Sequence, residues 1–582
     1  MPTTGAELLA KALADRGTDR VYGLHGGHLQ RIFDVLPEYG IEIVTTRDER
    51  AAAYMAHAHY QVTGEPGIAL ATAGPGVTNA LTGVANASSY QVPMLLIGGS
   101  ASLKQQERVA LQGMEQVDVF EPVTKWAGTV YEAERMPEYV DLALRHAQQP
   151  RPGPSFLNVP MDVQNERVPD EWLDESQDVV QAYPARPKQR PRPGRDAVAA
   201  LVATLREAER PVVISGVGVL NSGVGSSLRE FVEATGIPYL DTAESRGYVP
   251  GTHPMNVNAS RSKAVAEADT IVLLGKRLDF TVAYGSDVFF NPDATLVQID
   301  ADEREIGRNR PVDVPVVGDE RATLERLLDE DAETLAAGWD ESWIRDVREY
   351  DAESRQSLEG KFDVDESPIH PWRLCGEVRD RIEDGAYVAC DGGDILSFGR
   401  IALDVDSPGH WITSGPFGCI GSTVAQSIAA ALLEPDAQVI SLIGDGSFGF
   451  NAIELDTAAR HGADVTFVVS NNAAWNIDRF DQKEQYDNIV GTELQHTRYD
   501  MFAEAVGGHG EHVEQPDELG PALDRAIDFS GPAVVDVVVQ RDAPSPDFQQ
   551  GMQSHANHDM PDLQLLEPWD RREREKRGQP YE

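Results

Sequence analysis

Two stretches in the C-terminal third combine residue types able to hold a hard cation. "VISLIGDGSFGF" (439–450) ends an apolar run in Gly-Asp-Gly-Ser, and "VTFVVSNNAAW" (465–475) ends the next apolar run in two asparagines. Each run reads as a strand and the segment between them as a helix, so Asp445 and Asn472 leave the sheet at one edge. A carboxylate, an amide oxygen and backbone carbonyls make an oxygen-only set that suits octahedral Mg²⁺ better than zinc. Mg²⁺ usually keeps phosphate oxygens in its shell, and Gly444, Gly446 and Ser447 would let backbone N–H groups approach those phosphates at the start of the following helix. A lone Gly-Asp-Gly is more often a capped turn; the asparagine pair about two dozen residues on makes the pattern specific.

The elements that must position these residues form an α/β chain. At 582 residues it exceeds one ordinary core, and two to four domains are expected, with three the working number. Residues 1–182 alternate helical segments with β-rich runs such as "IEIVTTR", "PGIALATAG", "VPMLLIGGS" and "GPSFLNVP". The Pro/Arg-rich "QAYPARPKQRPRPGRD" reads as a linker. A second unit over 197–330 carries "PVVISGVGV", "IPYLDT", "TIVLLGK" and "ATLVQID"; an acidic helical stretch, 325–365, reads as a surface connection; a third unit spans 366–541; and 542–582 forms a tail. Repeated strand–helix alternation predicts three doubly wound parallel sheets, whose ligands sit at the carboxyl ends of strands.

Composition narrows the function classes. The formal net charge is −45, with acidic residues spread along the chain instead of massed in a tail. This is read as an acidic surface suited to concentrated salt, with an acidic patch for a cationic partner the alternative. Nucleic acid is excluded as a partner for want of clustered positive charge. No membrane span and no signal peptide are read, so a cytoplasmic location is expected. Cys375, Cys390 and Cys419 lie far apart without a CxxC pair, and are expected as free thiols.

The GDG and NN segments resemble the cofactor motif of thiamine-diphosphate-dependent enzymes of the acetolactate synthase and pyruvate oxidase type. The resemblance covers nearly the whole chain and implies pyrimidine-binding, central and diphosphate-binding domains in that order. It implies that Asp445, Asn472 and the Ala474 carbonyl hold Mg²⁺ against thiamine diphosphate. "TTRDERAAAYMAHAHYQVTGEPGIALATAGPGVTN" has the order of the family's N-terminal segment, which places Glu49 against the pyrimidine ring and Gly74 in the following turn. A Glu49–Arg47 surface ion pair is the bland alternative. "SGPFGCIGST" resembles the segment that props the bent cofactor, with Ile420 supplying the bulk and the Gly418 carbonyl accepting from the 4′-amino group. Because family members build the site from two subunits, a homodimer is the smallest expected unit, often doubled to a homotetramer.

The implied reaction is carbon–carbon bond chemistry. "GPFGCIG", "FGFNAIELDT" and the central "NASRSKAVAEADTIVLLGKRLDF" resemble 2-hydroxyacyl-CoA lyase and oxalyl-CoA decarboxylase, with Arg261, Lys263 and Arg277 as candidates for CoA or ADP phosphates. "VYGLHGGHLQRIF" and "LQGMEQ" resemble benzaldehyde lyase, aligning His28 and Gln112 with active-site residues. Glu493 is the candidate base for a substrate hydroxyl, and the tail is a candidate lid. The expected activity is reversible cleavage of a 2-hydroxyacyl-CoA to formyl-CoA and an aldehyde or ketone. Alternatives are an acetolactate synthase-like or benzaldehyde lyase-like carboligase of 2-oxo acids or aldehydes, with FAD on the central domain in the former, and a catalytically silent scaffold paralogue.

Overall fold

A computed structural model describes residues 3–173, 179–184, 189–287 and 289–546. The first sheet contains β1 (Arg20–Gly23), β2 (Glu42–Thr45), β3 (Gly67–Ala71), β4 (Met94–Ser100), β5 (Trp126–Thr129) and β6 (Ser155–Pro160), in the order β2-β1-β3-β4-β6-β5. The second contains β7 (Pro211–Ser215), β8 (Tyr239–Leu240), β9 (Thr270–Leu274), β10 (Thr295–Asp300) and β11 (Val314–Val317), in the order β11-β10-β9-β7-β8. The third contains β12 (Tyr387–Asp391), β13 (Trp411–Thr413), β14 (Val439–Gly444), β15 (Val465–Asn471), β16 (His509–Val513) and β17 (Pro532–Val538). Its order, β13-β12-β14-β15-β17-β16, repeats that of the first sheet strand for strand.

The strand pairings within all three sheets are parallel. Central strands such as β3, β9, β12 and β15 are buried at every residue, because helices cover both faces. The apolar runs read from sequence become these strands. Missed are β1, β5, β11, β13 and β16: β1, β11 and β13 are only three or four residues long, and β5 and β16 are mostly half-buried at sheet edges, so neither length nor an apolar run betrays them.

The first and third domains share one core. The alanine-rich helices Glu49–Thr63 and Ser422–Leu433 pack against each other, burying Ala51–Ala53, Met55, Val424, Ala425 and Ile428. Small side chains bring the backbones close, and long apolar residues fill around them. Polar contacts fasten the same seam. The Glu454 carboxylate accepts from the Arg47 N–H at 3.1 Å to both oxygens, and His461 Nε2 accepts from the Thr45 N–H at 3.0 Å. The central sheet instead builds its own cores on its two faces. The acidic stretch expected as a surface connection is more than that: its helix Glu341–Phe362 buries Trp343 and Val347 in the central domain, and buried Asp351 accepts from the N–H groups of Ala259 and Ser260. A helix with a thin apolar stripe reads as solvated in sequence and is docked only by its neighbours.

Candidate active site

In both like domains the strand order reverses between the first and third strands, β1 and β3 in one, β12 and β14 in the other. A doubly wound sheet opens a crevice at the carboxyl ends of such a pair. Nearly all the residues singled out for the cofactor lie at these two crevices or on the loops beside them.

In the third domain, β14 and β15 pair in a register that sets Gly444 opposite Ser470. Asp445 and the asparagine pair therefore emerge side by side. Asp445 begins the short helix Asp445–Asn451, is almost fully buried, and leaves Oδ2 without a hydrogen-bond partner. Burial pushes its carboxyl up to about 7, a cost that a bound cation would remove. Asn472 is buried, its Oδ1 accepting from the Ala474 N–H at 3.1 Å across Ala473, whose φ is +53°. Two glycines keep the floor clear. A Cβ on Gly446 would lie 2.4 Å from the Trp475 ring, and one on Gly392 (φ +104°) would lie 3.2 Å from Gly444 N and 3.3 Å from Ser447 Oγ. A buried orphan carboxylate oxygen, an amide oxygen and a glycine-cleared helix start fit a Mg²⁺–diphosphate group, which Asp445, Asn472 and the Ala474 carbonyl would hold.

Gly418, at φ +71°, and half-buried Ile420 sit on the neighbouring loop, where the Gly418 carbonyl accepts from the Ile420 N–H at 2.9 Å. Asp391, which sequence reading passed over within "CDGGD", anchors that loop. Fully buried at the end of β12, it accepts from Gly421 N (2.8 Å), Thr423 N (3.3 Å) and Thr423 Oγ1 (3.0 Å). Burial raises its carboxyl to about 6 against the pull of these donors.

In the first domain, Glu49 is the first residue of the helix Glu49–Thr63, behind an N-cap at Asp48 that accepts from the Arg50 N–H. It is buried, and its Oε2 accepts from Asn79 Nδ2 at 3.1 Å, while Arg47 pairs with Asp456. The surface ion pair is therefore not formed. Gly76 must be glycine-sized here, since a Cβ would meet Thr72 Cγ2 at 2.8 Å and Glu49 Oε1 at 3.1 Å. His28, in the loop after β1, is buried with Nδ1 unpartnered, and its carbonyl accepts from Gln164 Nε2 at 2.8 Å. Gln112 is half-buried at φ +58° and its backbone lies over Gly74. A second glutamine, not foreseen, holds this turn: Gln116 accepts from Gly74 N at 2.9 Å and donates to Gly99 O and Asn158 Oδ1. Its spacing from Gln112 gave no periodic signal.

The remaining candidates are engaged in contacts of their own. Glu493 pairs through its backbone with Ala474, but its side chain is 63% exposed and accepts from Arg541 Nη1 at 3.3 Å. Arg261 donates to the Asp241 carbonyl and to Asn258 Oδ1, Lys263 to Glu267 at 2.7 Å, and Arg277 to the Ser89 carbonyl at 3.1 Å. All three basic side chains thus serve contacts within the protein. The cleft between the first and central domains is lined by Asp300, Asp319 and Glu320, with Arg151 as its cation. Glu320 lies within the glycine turn that follows β7, 2.4 Å from where a Gly218 Cβ would stand, so this cleft is a poor fit for nucleotide phosphates. Residues 547–582 of the expected lid lie outside the described residues.

Three family models match the chain: the N-terminal thiamine pyrophosphate-binding domain over residues 3–119, the central domain over 198–327 and the C-terminal thiamine pyrophosphate-binding domain over 391–537. Among curated relatives, a "Probable acetolactate synthase" of Mycobacterium bovis is 36% identical over 533 residues, covering 91% of this chain and 95% of the relative. A "2-hydroxyacyl-CoA lyase" of Arabidopsis thaliana is 29% identical over 95% of this chain and 98% of the relative. An "Oxalyl-CoA decarboxylase" of Escherichia coli is 29% identical over 92% and 95%. With all three domain models present in order and a relative of this identity covered almost end to end, the chain belongs to the thiamine pyrophosphate enzyme family.

Proposed function

We propose that the chain is a thiamine-diphosphate and Mg²⁺-dependent lyase that reversibly cleaves a 2-hydroxyacyl-CoA to formyl-CoA and an aldehyde or ketone. The observation that carries the lyase reading is His28, a buried imidazole with an unpartnered Nδ1 at the mouth of the first-domain crevice. Cleavage beside a hydroxyl-bearing carbon requires removal of the hydroxyl proton, and a positioned imidazole is suited to take it. The bound cofactor supplies the electron sink for the bond that breaks. Glu49, held by Asn79, exchanges a proton with the pyrimidine ring. Asp445, Asn472 and the Ala474 carbonyl hold the cation; Gln112 positions substrate oxygen; Glu493 is the proposed second acid–base group, reached from its place on Arg541.

The two halves of the site are proposed to meet across a homodimer. Large apolar side chains stand exposed beside each half, Phe417, Phe450 and Ile453 in the third domain and Val109, Leu111 and Met114 in the first.

A second reading, carboligation of 2-oxo acids or aldehydes without CoA, is favoured by one observation: Arg261, Lys263 and Arg277 are engaged within the protein and the central cleft is lined by carboxylates. Calorimetric titration of cofactor-loaded protein with CoA and with ADP, at high and moderate salt, separates the two. Micromolar CoA binding that persists in salt, with formyl-CoA release lost in His28→Ala, supports the acyl-CoA lyase. No CoA binding together with product formation from pyruvate or benzaldehyde supports the carboligase.

A further inference from the structure

The chain that leaves β17 turns back onto the loop between β15 and the helix Asn476–Tyr486. Arg541 Nε donates to the Asn472 carbonyl at 2.8 Å and Nη2 to the Ala473 carbonyl at 2.7 Å, while Nη1 reaches the Glu493 carboxylate at 3.3 Å. One guanidinium thus grips two successive carbonyls and the segment bridged to them at Glu493. On the other side, Asp542 Oδ1 accepts from Arg479 Nη1 at 3.1 Å, and Arg479 is buried on that helix. The gripped loop includes Ala473 at φ +53°, a conformation an alanine adopts only when its surroundings impose it. A planar fork with fixed donor directions can impose it; a lysine, with a single mobile ammonium, cannot hold both carbonyls in the same geometry.

We propose that Arg541 is a positioning residue for metal and cofactor binding: by holding the carbonyls of Asn472 and Ala473 it fixes the Asn472 side chain and the Ala474 carbonyl in the arrangement that receives Mg²⁺, and the Asp542–Arg479 pair fastens the same segment from the far side. This rests on the reading that Asn472 and Ala474 are ligands. Outer partners that orient ligands typically change metal affinity about 10–100-fold when lost.

The test is thiamine diphosphate binding to the full-length apoprotein, followed by tryptophan fluorescence and calorimetry at limiting and saturating Mg²⁺, in the native protein and in Arg541→Met, Arg541→Lys, Asp542→Asn and Asp445→Ala. Arg541→Met is expected to weaken Mg²⁺-dependent cofactor binding at least tenfold, Arg541→Lys less, and Asp542→Asn about threefold, with the Arg541 losses partly recovered at high Mg²⁺. Should Arg541→Met fail to fold, the lysine and Asp542 variants carry the test. Affinity unchanged in the Arg541 variants, or a lowered apoprotein melting temperature without an affinity change, overturns the proposal. If Asp445→Ala binds cofactor like the native protein, the ligand assignment itself fails, and the proposal with it.

Discussion

The first and third domains share one strand order and place their turns at the same topological positions, yet the turns carry different chemistry. After the first strand of each comes His28 or Asp391; after the third comes the Gly74 turn or Asp445; after the fourth comes Ala101 or Asn472. The third domain fills these positions with buried side-chain oxygens and glycine-cleared N–H groups, and the first with an imidazole, a proline-led helix and a buried glutamate on a neighbouring helix. The difference shows that the sheet decides where a ligand can sit, while a handful of turn residues decides which chemical groups line that place. The central domain has another strand order and cores of its own.

The division can be broken most severely at Glu49. Glu49→Gln keeps the bond to Asn79 possible but removes the exchangeable proton, so turnover should fall about 10²–10⁴-fold. Cofactor binding should persist, as seen by calorimetry, and near-native turnover would end the claim that the first domain moves protons. A smaller effect distinguishes the equivalent turns. Gly446→Ala drives a methyl into the Trp475 ring and Gly74→Ala drives one into Gln112. Overpacking of roughly 1–3 kcal/mol is expected at each. In the third domain it should appear as weaker cofactor binding, and in the first as lower kcat at unchanged cofactor affinity; the same parameter moving in both would dissolve the comparison.

The smallest effect concerns the helix Glu49–Thr63 that lies under the shared seam, where His57 and His59 are buried against first-domain residues. Burial lowers their imidazoles to about 3 and about 4. Both pKa values fall below the unfolded value near 6.5, so their contribution is present above that pH and lost as pH falls toward the folded values. Each should cost about 1.4 kcal/mol per pH unit within that window. His57 packs edge-on against Tyr90 at 4.9 Å, so His57→Gln should lower stability slightly at pH 7 yet reduce the loss between pH 7 and pH 5. Urea midpoints at the two pH values read this directly; an unchanged acid loss would show that His57 is not protonated on unfolding.

Much of the third-domain site was legible because its residues are local. Asp445 and the asparagines sit at the ends of apolar runs, and parallel pairing of adjacent strands leaves little choice about where they meet. Glu49 was legible only through resemblance, since a glutamate after Thr-Arg-Asp carries no pattern of its own. Asn79, Gln116, Asp391 and Arg541 were not read at all; Asn79 lies 30 residues from Glu49, and Arg541 lies 68 and 69 from the carbonyls it grips. The internal partners of Arg261, Lys263 and Arg277 were hidden for the same reason, because a side chain's partner is invisible until the chain folds around it.

By itself, then, the sequence determined three parallel α/β units, a turn that sets Asp445 beside the asparagine pair and the family's order of domains, all of which depend on periodicity and turn chemistry within a few tens of residues. Only the tertiary structure decided that the first and third domains share a core, that Arg261, Lys263 and Arg277 serve internal contacts, and that Arg541 grips the Asn472 and Ala473 carbonyls. Those outcomes depend on which groups meet across the chain, and burial and hydrogen-bond satisfaction, not local propensity, select them.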